Sequence, residues 1–469
     1  MSFVAFAIAV SWGTGLLVVW MLAPRPRSGW SVGLQACLGL GLGLAISAGV
    51  FFFARAALRQ ADWRVLLLDC VLFTAIAMVS LVTSRSGPSG DVEAIPASGG
   101  ARLIGGVLLV ALALVVIADA GSFWELFAAR PYGNWDAWAM WNMKARWLFE
   151  GGSRWRLAFC DEMVGVRPDY PLLVPLTTAR LWACLGEDST VVPRMDAALF
   201  SGLTLAVVFC AVGRMSGLVN AAAAGLALAG SQIFVDEGAS QYADMALSFF
   251  IASAIVLIAA AGEAGYGMNR LWALAGLAAA AAACTKNEGQ LFFAACGLST
   301  LIVAGLRLGA RAAGRGLLMA VVGASPLLAL VCATKLMFAW QNYLFEDRSI
   351  GDLLRLVVSS TRWGQVWYWT RELIDGIVSP AILILVFGAG VVAWVLRRRS
   401  AGAPLVGHQI GAVCLLFMAL GYLFIYLTTP EDIGWHMRTS FSRLVLHLWP
   451  GVLFLVFSAG PGMGGRAVE

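Results

Sequence analysis

The sequence predicts an all-α membrane protein that crosses the bilayer many times. Of its 469 residues, 60% are hydrophobic and only 13% are charged, a balance that is atypical of soluble domains. The hydrophobic residues form runs rich in Leu, Ala, Val and Gly that are long enough for helices across a bilayer. We therefore expect bundled helices rather than a β-barrel.

About 13 apolar runs are candidates for membrane crossings, since each crossing needs about 20 residues. The run at 271–285 is short and rich in Ala, which makes it the weakest candidate. The runs are nearly free of charge. They lie at 2–23, 31–54, 63–83, 103–120, 190–211, 217–235, 242–261, 271–285, 289–306, 317–338, 377–396, 409–428 and 441–459.

Arginine side chains predict the orientation, because they concentrate in cytoplasmic connections. Most connections that carry Arg fall on one side of the bundle, which we assign to the cytoplasm of a bacterial inner membrane. The connection with Arg55, Arg59 and Arg64 falls on the other side and is the exception. The cytoplasmic group comprises Arg25, Arg27, Arg214, Arg307, Arg311, Arg315, Arg397, Arg398 and Arg399.

The opposite, outer face receives the polar segments. Two of them exceed the length of simple connectors, which indicates binding or catalysis. Three Trp in the second of these predict a helix that lies flat on the bilayer. The long segments are 121–189 and 339–376, and the shorter outer turns are 234–244, 284–290 and 429–440.

One tryptophan-rich segment, residues 133–147, carries a single carboxylate. Four Trp surround Asp136, with Lys144 and Arg146 farther along. Trp favours the membrane–water boundary, where a lone carboxylate is unfavourable unless it is paired or used. We expect an interfacial helix that presents Asp136 as a general base. The alternative is a structural ion pair of Asp136 with Lys144 or Arg146.

Three acids, Asp236, Glu237 and Asp244, lie at the next outer turn. They could orient an acceptor, bind a divalent cation, or cap the following helix through its dipole. No His or Cys accompanies them, so no metal site is predicted.

Lys286 and Glu288 interrupt a long apolar stretch at the outer interface. A Lys ammonium is a suitable point charge for the phosphate of a lipid carrier at this depth. The alternative is that Lys286 extends toward water while Glu288 neutralises it.

The last outer turn, 429–443, brings further cations beside a span. Arg438 and Arg443 could each bind phosphate oxygens, with help from His436. Ion pairing with Glu431 or Asp432 is the alternative.

In the first long loop, three Pro at 168, 171 and 175 surround Tyr170. They predict no regular helix before about residue 176. The stretch is interpreted as a rigid return to the membrane, and a structural role is favoured.

Several of these short motifs together resemble a known superfamily, the GT-C membrane glycosyltransferases. The likeness rests on Trp-Asp-Ala-Trp at 135–138, Tyr-Pro at 170–171 and Tyr-Ala-Asp at 242–244. The nearest branch is the dolichyl-phosphate-mannose–protein mannosyltransferase type, with its bacterial aminoarabinose-transferase relatives. Members often carry a paired Asp-Glu in the first loop, where this chain has a lone Asp.

The resemblance covers roughly residues 103–450. It implies a GT-C-like catalytic module at 103–469, which includes the outer loops 121–189 and 339–376. Residues 1–102 are then an N-terminal addition of transmembrane helices.

The resemblance implies an inverting glycosyltransferase of glycan biosynthesis, active on the outer face. Its donor is a polyprenyl-phosphate sugar, its acceptor a lipid, glycan or protein hydroxyl, and membrane lipids surround it. No cofactor, metal or nucleic acid is expected. Asp136 is the implied base. The donor phosphate is assigned to Lys286, Arg438, His436 and Arg443, and substrate binding to Asp236, Glu237, Asp244, Glu288, Lys144 and Tyr170.

Two other functions use similar groups. A transporter or flippase of lipid-linked sugars would need essential polar groups on both faces or at the bilayer centre, and the nearly uncharged runs favour the enzyme. A lipid-phosphate-dependent glycan ligase or polymerase would depend chiefly on the outer Arg and His.

Overall fold

A computed structural model describes residues 2–26, 28–58, 62–83, 99–159, 167–263, 269–338, 348–374, 376–399 and 405–459. These residues are helical or form turns, and they contain no β-strand, so the all-α prediction is confirmed for them. Arg27, Arg59 and the linker 84–98 lie outside the described residues, as do the side chains of Arg397, Arg398 and Arg399.

Nineteen α-helices are described, most of them apolar over several turns. They are α1 Ser2–Leu22, α2 Gly29–Leu58, α3 Val65–Thr83, α4 Gly99–Ala129, α5 Asn142–Glu150, α6 Leu173–Leu185, α7 Val191–Ser216, α8 Leu218–Ala229, α9 Gln232–Ala239, α10 Asp244–Glu263, α11 Asn269–Thr285, α12 Asn287–Ser299, α13 Gly305–Leu308, α14 Ala310–Met337, α15 Ile350–Val357, α16 Ser360–Ile374, α17 Pro380–Arg399, α18 Val406–Thr428 and α19 Ile433–Ser458.

Among the described residues, ten helical segments are long and apolar enough to cross a membrane, with Asn287–Leu308, from α12 to α13, counted as one. The number is up to 11 if the bent pair α8–α9 forms one span. The expected count of 13 is therefore not confirmed. α8 and α9 meet at 60°, so the run 217–235 is broken. The run 271–285 forms α11, a helix of only 17 residues.

The shortness of α11 has a structural reason. Every residue from Leu271 to Thr285 is buried, so α11 is surrounded by protein rather than lipid. It packs closely on α14, where an added Cβ on Gly276 would overlap the carbonyl of Ala320. Small residues let helix backbones approach in this way in membranes. A helix enclosed by its neighbours need not match the bilayer thickness.

Arg55 belongs to the one connection that departs from the predicted distribution of arginines, and its side chain is bound inside the protein. It lies at the end of α2 and is buried, and its guanidinium donates to the carbonyl oxygens of Leu148 and Gly152. The end of α2 therefore meets the long segment 121–189. We call this end of the bundle, where segment 121–189 lies, the site end. Arg55 is thus engaged by backbone carbonyls.

One local expectation needs correction, and one domain boundary stays a prediction. α6 begins at Leu173, before the predicted residue 176, because Pro175 occupies the first helical turn, where a missing N–H is tolerated. The predicted boundary between 102 and 103 falls inside α4.

The segment 339–376 contains α15 and α16, and α16 carries the three Trp. Trp363 and Trp367 are exposed, whereas Trp369 packs against Gly434 of α19. The predicted helix is present and joins the bundle through Trp369. Whether it lies in the plane of the bilayer stays a prediction.

The apolar runs hold more charge than expected. Asp69 of α3, Arg180 of α6 and Asp196 of α7 are all buried. Arg180 pairs with Asp69 at 2.7 Å, and Thr178 donates to Asp196 at 2.9 Å. Each acid is the only carboxylate of its apolar run, which is why hydropathy alone passes over it.

Candidate active site

Asp136 lies directly before a π-helical turn, Ala137–Trp141, which continues into α5. Such turns are rare and occur often at functional sites. The preceding backbone is fixed against the turn between α9 and α10, because the Asn134 N–H donates to the Ser240 carbonyl at 3.1 Å. Gly133 has a φ of +79°, and a Cβ there would lie 2.7 Å from that same carbonyl oxygen. A glycine is therefore required for this approach.

Asp136 forms an ion pair with Arg443 of α19. The distance from Arg443 Nη1 to Asp136 Oδ2 is 2.5 Å, and the side chains are 17% and 28% exposed. The two alternative partners are engaged elsewhere: Arg146 pairs with Asp188 at 2.6 Å, and Lys144 donates to the Arg167 carbonyl at 2.5 Å. The acid of the Trp-rich segment and a cation of the last outer turn thus meet at a partly open position.

Tyr242 contacts both members of this pair. Its hydroxyl oxygen accepts the Asp136 N–H at 3.2 Å, and the guanidinium of Arg443 lies 5.2 Å from its ring centroid. Burial raises the pKa of Tyr242 to about 12, so the phenol is neutral at physiological pH.

A second, enclosed cluster centres on Asp244. Its Oδ1 accepts from Lys286 Nζ at 2.8 Å and lies 2.9 Å from His447 Nε2. The other ring nitrogen of His447 lies 3.0 Å from the hydroxyl of Tyr422. Asp244 therefore binds side chains of other elements, and it also stands in the first turn of α10, where a negative charge interacts favourably with the helix dipole.

Lys286 has two acidic partners, because Glu288 Oε1 is 3.2 Å from its ammonium. Burial works against its charged form, yet attraction to Asp244 and Glu288 raises the pKa of Lys286 above its usual value. The side chain is only 5% exposed. The contact with Glu288 fits one part of the alternative, but the buried Lys286 does not extend toward water.

Arg443 joins the open pair to the enclosed cluster. Besides Asp136, it is attracted electrostatically to Asp244 and Glu237. Its neighbour Ser442 donates to Glu237 Oε1 at 2.8 Å. We call the connected set the central network: Asp136, Arg443, Tyr242, Glu237, Asp244, Lys286, Glu288, His447 and Tyr422.

The other predicted phosphate ligands lie apart from these contacts. Arg438 is exposed and stacks over Trp369, with 4.7 Å from its guanidinium carbon to the ring centroid. His436 Nδ1 lies 2.8 Å from the Thr429 hydroxyl. Asp432 accepts from the Trp435 N–H and caps α19. Within the described ranges, no hydrogen bond or ion pair joins Arg438 or His436 to Asp136 or Lys286.

The three lysines of the chain all meet one short segment, residues 167–170. Lys144 donates to the Arg167 carbonyl, Lys335 to the Asp169 carbonyl at 2.5 Å, and Lys286 lies 5.9 Å from the Tyr170 ring centroid. Lys144 is fully buried, and burial lowers its pKa to about 7. The resemblance assigned Lys144 and Tyr170 to substrate binding. In the structure Lys144 contacts the backbone of this segment and Tyr170 belongs to it, and their assignment to substrate binding stays a prediction.

Asp236 is exposed and accepts from Gln232 at 3.0 Å. It lies on α9 next to Glu237 but points to different partners. In the part of the chain that the structure describes, no group of three or more His, Cys, Asp or Glu could hold a metal ion.

Sequence analysis did not identify several members of the central network as functional candidates. Tyr242 stands inside the quoted Tyr-Ala-Asp motif, yet a single Tyr beside an acid is not distinctive. His447 and Tyr422 lie in apolar runs. An ionisable residue inside a transmembrane run is itself a functional signal, and it could have singled out His447.

Comparison with known proteins places part of this site in a family. The model of the dolichyl-phosphate-mannose-protein mannosyltransferase family matches residues 169–330. That stretch holds Glu237, Tyr242, Asp244, Lys286 and Glu288, whereas Asp136 and Arg443 lie outside it. It is shorter than the expected 103–450. No curated protein and no solved structure gave a significant match. The expected resemblance is nevertheless confirmed: residues 169–330 carry the sequence pattern of the dolichyl-phosphate-mannose-protein mannosyltransferase family.

Proposed function

We propose that this protein is a membrane glycosyltransferase that takes its sugar from a polyprenyl-phosphate donor. One observation carries the proposal. A partly exposed carboxylate, Asp136, meets a partly exposed guanidinium, Arg443, directly beside the enclosed Asp244–Lys286 pair. A base beside a phosphate-binding cation is what sugar transfer from a lipid phosphate needs, and the family match at 169–330 supports that chemistry.

In the proposed reaction, Asp136 accepts the proton of an acceptor hydroxyl. The hydroxyl oxygen forms a bond to the anomeric carbon, and the bond from that carbon to the phosphate oxygen breaks. The electron pair leaves with the phosphate, so the products are the glycosylated acceptor and the polyprenyl phosphate. Direct displacement inverts the anomeric configuration.

Arg443 has two roles in this scheme. Its planar guanidinium can bind two phosphate oxygens at once. When the donor phosphate occupies Arg443, Asp136 loses its cationic partner and becomes a stronger base. Binding of the donor therefore activates the carboxylate, which restricts proton abstraction to the loaded enzyme.

The enclosed cluster serves this arrangement electrostatically. Lys286 neutralises part of the negative charge of Asp244 and Glu288, which reduces their demand on Arg443. A preorganised cation in a site with little water stabilises the negative charge that develops on the leaving phosphate. We assign Glu237 and Glu288 to hydroxyls of the sugar, and Asp236 to the acceptor.

Arg438 and His436 lie earlier on α19 than Arg443. We assign them to a rim contact with the donor phosphate as it enters. The aromatic partner of Arg438, Trp369, suits a position at the membrane boundary. The orientation of the arginines supports an outer active site in a bacterial inner membrane. The acceptor is a lipid, a glycan or a protein.

A transporter of lipid-linked sugars is the alternative that the buried charges favour. Asp69, Arg180 and Asp196 lie inside helices, as such a protein would require. However, the Asp69–Arg180 pair is 1% exposed on both sides, whereas the Asp136–Arg443 pair is open. Of these two pairs, a substrate can therefore reach only Asp136–Arg443, which favours the enzyme.

The experiment begins with purified protein in lipid nanodiscs. Co-purifying lipids are identified by mass spectrometry, and transfer is assayed from a panel of synthetic polyprenyl-phosphate monosaccharides. We expect a bound polyprenyl phosphate and transfer from at least one donor, with inversion detected by NMR. Movement of a lipid-linked sugar across the bilayer without a glycosylated product would overturn the proposal.

A further inference from the structure

Tyr242 occupies a position that its neighbours fix tightly. The preceding residue, Gln241, has a φ of +61°, which side chains other than glycine rarely adopt. Its amide side chain contacts Asn142 at 3.2 Å and the carbonyl of Pro131 at 3.4 Å. These contacts tie the turn before α10 to the Trp-rich segment. Tyr242 is therefore held beside Asp136 by two separate parts of the chain.

The hydroxyl group of Tyr242 accepts one hydrogen bond and donates none among the described residues. Its oxygen accepts the Asp136 N–H, but no acceptor for its own hydrogen occurs among the described residues. The other two Tyr of this region differ, because Tyr422 lies 3.0 Å from His447 and Tyr426 lies 2.9 Å from the Ser440 hydroxyl. A half-buried O–H with no acceptor is normally satisfied by water or a ligand.

The surroundings of this hydroxyl select the ligand. Arg443 lies over the ring of Tyr242 and Asp136 lies beside its hydroxyl. An anion held by Arg443 would bring oxygen acceptors to the unused hydrogen. The phenol is neutral, so it donates to a phosphate without adding repulsion.

We propose that Tyr242 is a further catalytic residue, which donates its hydroxyl hydrogen to an oxygen of the donor phosphate held by Arg443. This inference rests on the proposed function. The hydrogen bond strengthens as the bond from sugar to oxygen breaks, because the negative charge on the phosphate then grows. The proton stays on Tyr242, and the electron pair leaves with the phosphate.

The first test replaces Tyr242 with Phe, which keeps the ring under Arg443 and removes the hydroxyl. By analogy with a lost oxyanion donor, we expect kcat to fall about 10²-fold, with the KM for the donor changed by less than about threefold. Tyr426→Phe is the matched control, because it removes a buried hydroxyl that already has a partner. It should keep activity within about twofold of the wild type, since hydrogen bonds at such sites contribute modestly.

The second test separates donation to phosphate from support of the Asp136 backbone. A fluorinated tyrosine at position 242 keeps the ring and the accepting oxygen but lowers the phenol pKa. We expect its activity to fall at alkaline pH, where the phenolate can no longer donate, while the wild type stays active there. A residue that only supports Asp136 would show no such alkaline loss, and that result would overturn the proposal.

The third measurement distinguishes failure of this inference from failure of the proposed function. Binding of undecaprenyl phosphate alone should be about tenfold weaker in Tyr242→Phe than in the wild type, because one charge-assisted hydrogen bond is lost. Equal binding, or full kcat in Tyr242→Phe, would refute the role of Tyr242. A wild type that binds this lipid but transfers no sugar would instead refute the proposed glycosyl transfer.

Discussion

Two of the carboxylate–guanidinium pairs at the site end of the bundle differ in one respect. Asp69 and Arg180 are 2.7 Å apart and 1% exposed, whereas Asp136 and Arg443 are 2.5 Å apart and 28% and 17% exposed. The chemistry is the same, but only the second pair can be reached by a substrate.

The enclosed pair, Asp69 and Arg180, connects three helices. Arg180 also donates to the carbonyl oxygen of Ala7, so one side chain joins α1, α3 and α6. One oxygen of Asp69 and one nitrogen of Arg180 are buried without a partner among the described residues. Burying such a pair is unfavourable in itself, but removing one partner is far worse. Enclosure therefore makes a charge pair structural, and exposure leaves it available for chemistry.

The largest difference between the pairs should appear in Asp136→Asn. Loss of a general base lowers the rate by about 10²- to 10⁴-fold, and the melting temperature should change little because the pair is open. Transfer from a polyprenyl-phosphate sugar and thermal unfolding are measured together.

Asp188→Asn is the matched control for that variant. Asp188 is 34% exposed and pairs with Arg146 at 2.6 Å, so it is a similar ion pair outside the network. It should keep full activity. Wild-type rates in Asp136→Asn would remove Asp136 as the base.

The enclosed pair should give the opposite pattern. Arg180→Ala leaves Asp69 buried and unpaired, which should lower the free energy of unfolding by about 3 to 5 kcal/mol. Transfer per folded molecule should stay near the wild-type value. Chemical denaturation in detergent and activity of the folded fraction are the measurements.

An apolar replacement of both partners sharpens this result. Asp69→Leu together with Arg180→Leu should recover much of the lost stability, because no buried charge is left unpaired. If the double variant is as unstable as Arg180→Ala, the enclosed pair does not act through its charges.

Lys144 offers a smaller effect that depends on pH. Burial lowers its pKa from the 10.5 of an exposed lysine to about 7. Between these two values the unfolded chain binds more protons than the folded one, so this group makes the free energy of unfolding rise with pH from about 7 to about 10. Below about pH 7 both states carry the proton, so the dependence of the unfolding free energy on pH disappears, while the destabilisation by the buried ammonium is complete.

Lys144→Met should remove this pH-dependent contribution and should be more stable than the wild type near pH 7. The measurement is the difference in melting temperature between the two proteins, followed from pH 6 to pH 10. Identical slopes in the two proteins would show that Lys144 titrates as an exposed lysine.

The smallest expected effect concerns Arg55, whose guanidinium caps the end of α5 through the Leu148 carbonyl. Arg55→Ala should lower kcat by less than about tenfold, because it loosens the helix that follows Asp136 without touching it. Arg55→Lys should restore part of the loss by offering one donor. No change in kcat for Arg55→Ala would show that α5 is fixed by its other contacts.

The sequence was sufficient to predict an all-helical membrane protein, although not the number of its spans. Hydrophobic runs reproduce the bundle because burial in lipid demands them, and the Trp-rich segment does form a helical turn and α5. The partner of Asp136 could not be predicted from the sequence, because Asp136 and Arg443 are separated by 307 residues. Which outer cation meets which outer acid depends on helix packing, and no local pattern encodes it.

The missed groups have a shared cause. Asp69, Asp196 and His447 stand among mostly apolar residues, and averaging the hydropathy over a window dilutes their contribution. Lys286 illustrates the converse: the sequence singled it out, but its burial and its two acidic partners emerge only from the fold.

The most direct test of the open pair is the binding of undecaprenyl phosphate to purified protein in nanodiscs. The wild type should bind, and Arg443→Gln should bind about 10- to 100-fold more weakly, since hydrogen bonds to a charged group are worth about 1.5 to 3 kcal/mol. Arg146→Gln, which breaks only the pair with Asp188, should bind as the wild type does. Equal binding by the wild type and Arg443→Gln would contradict the assignment of Arg443 to the donor phosphate.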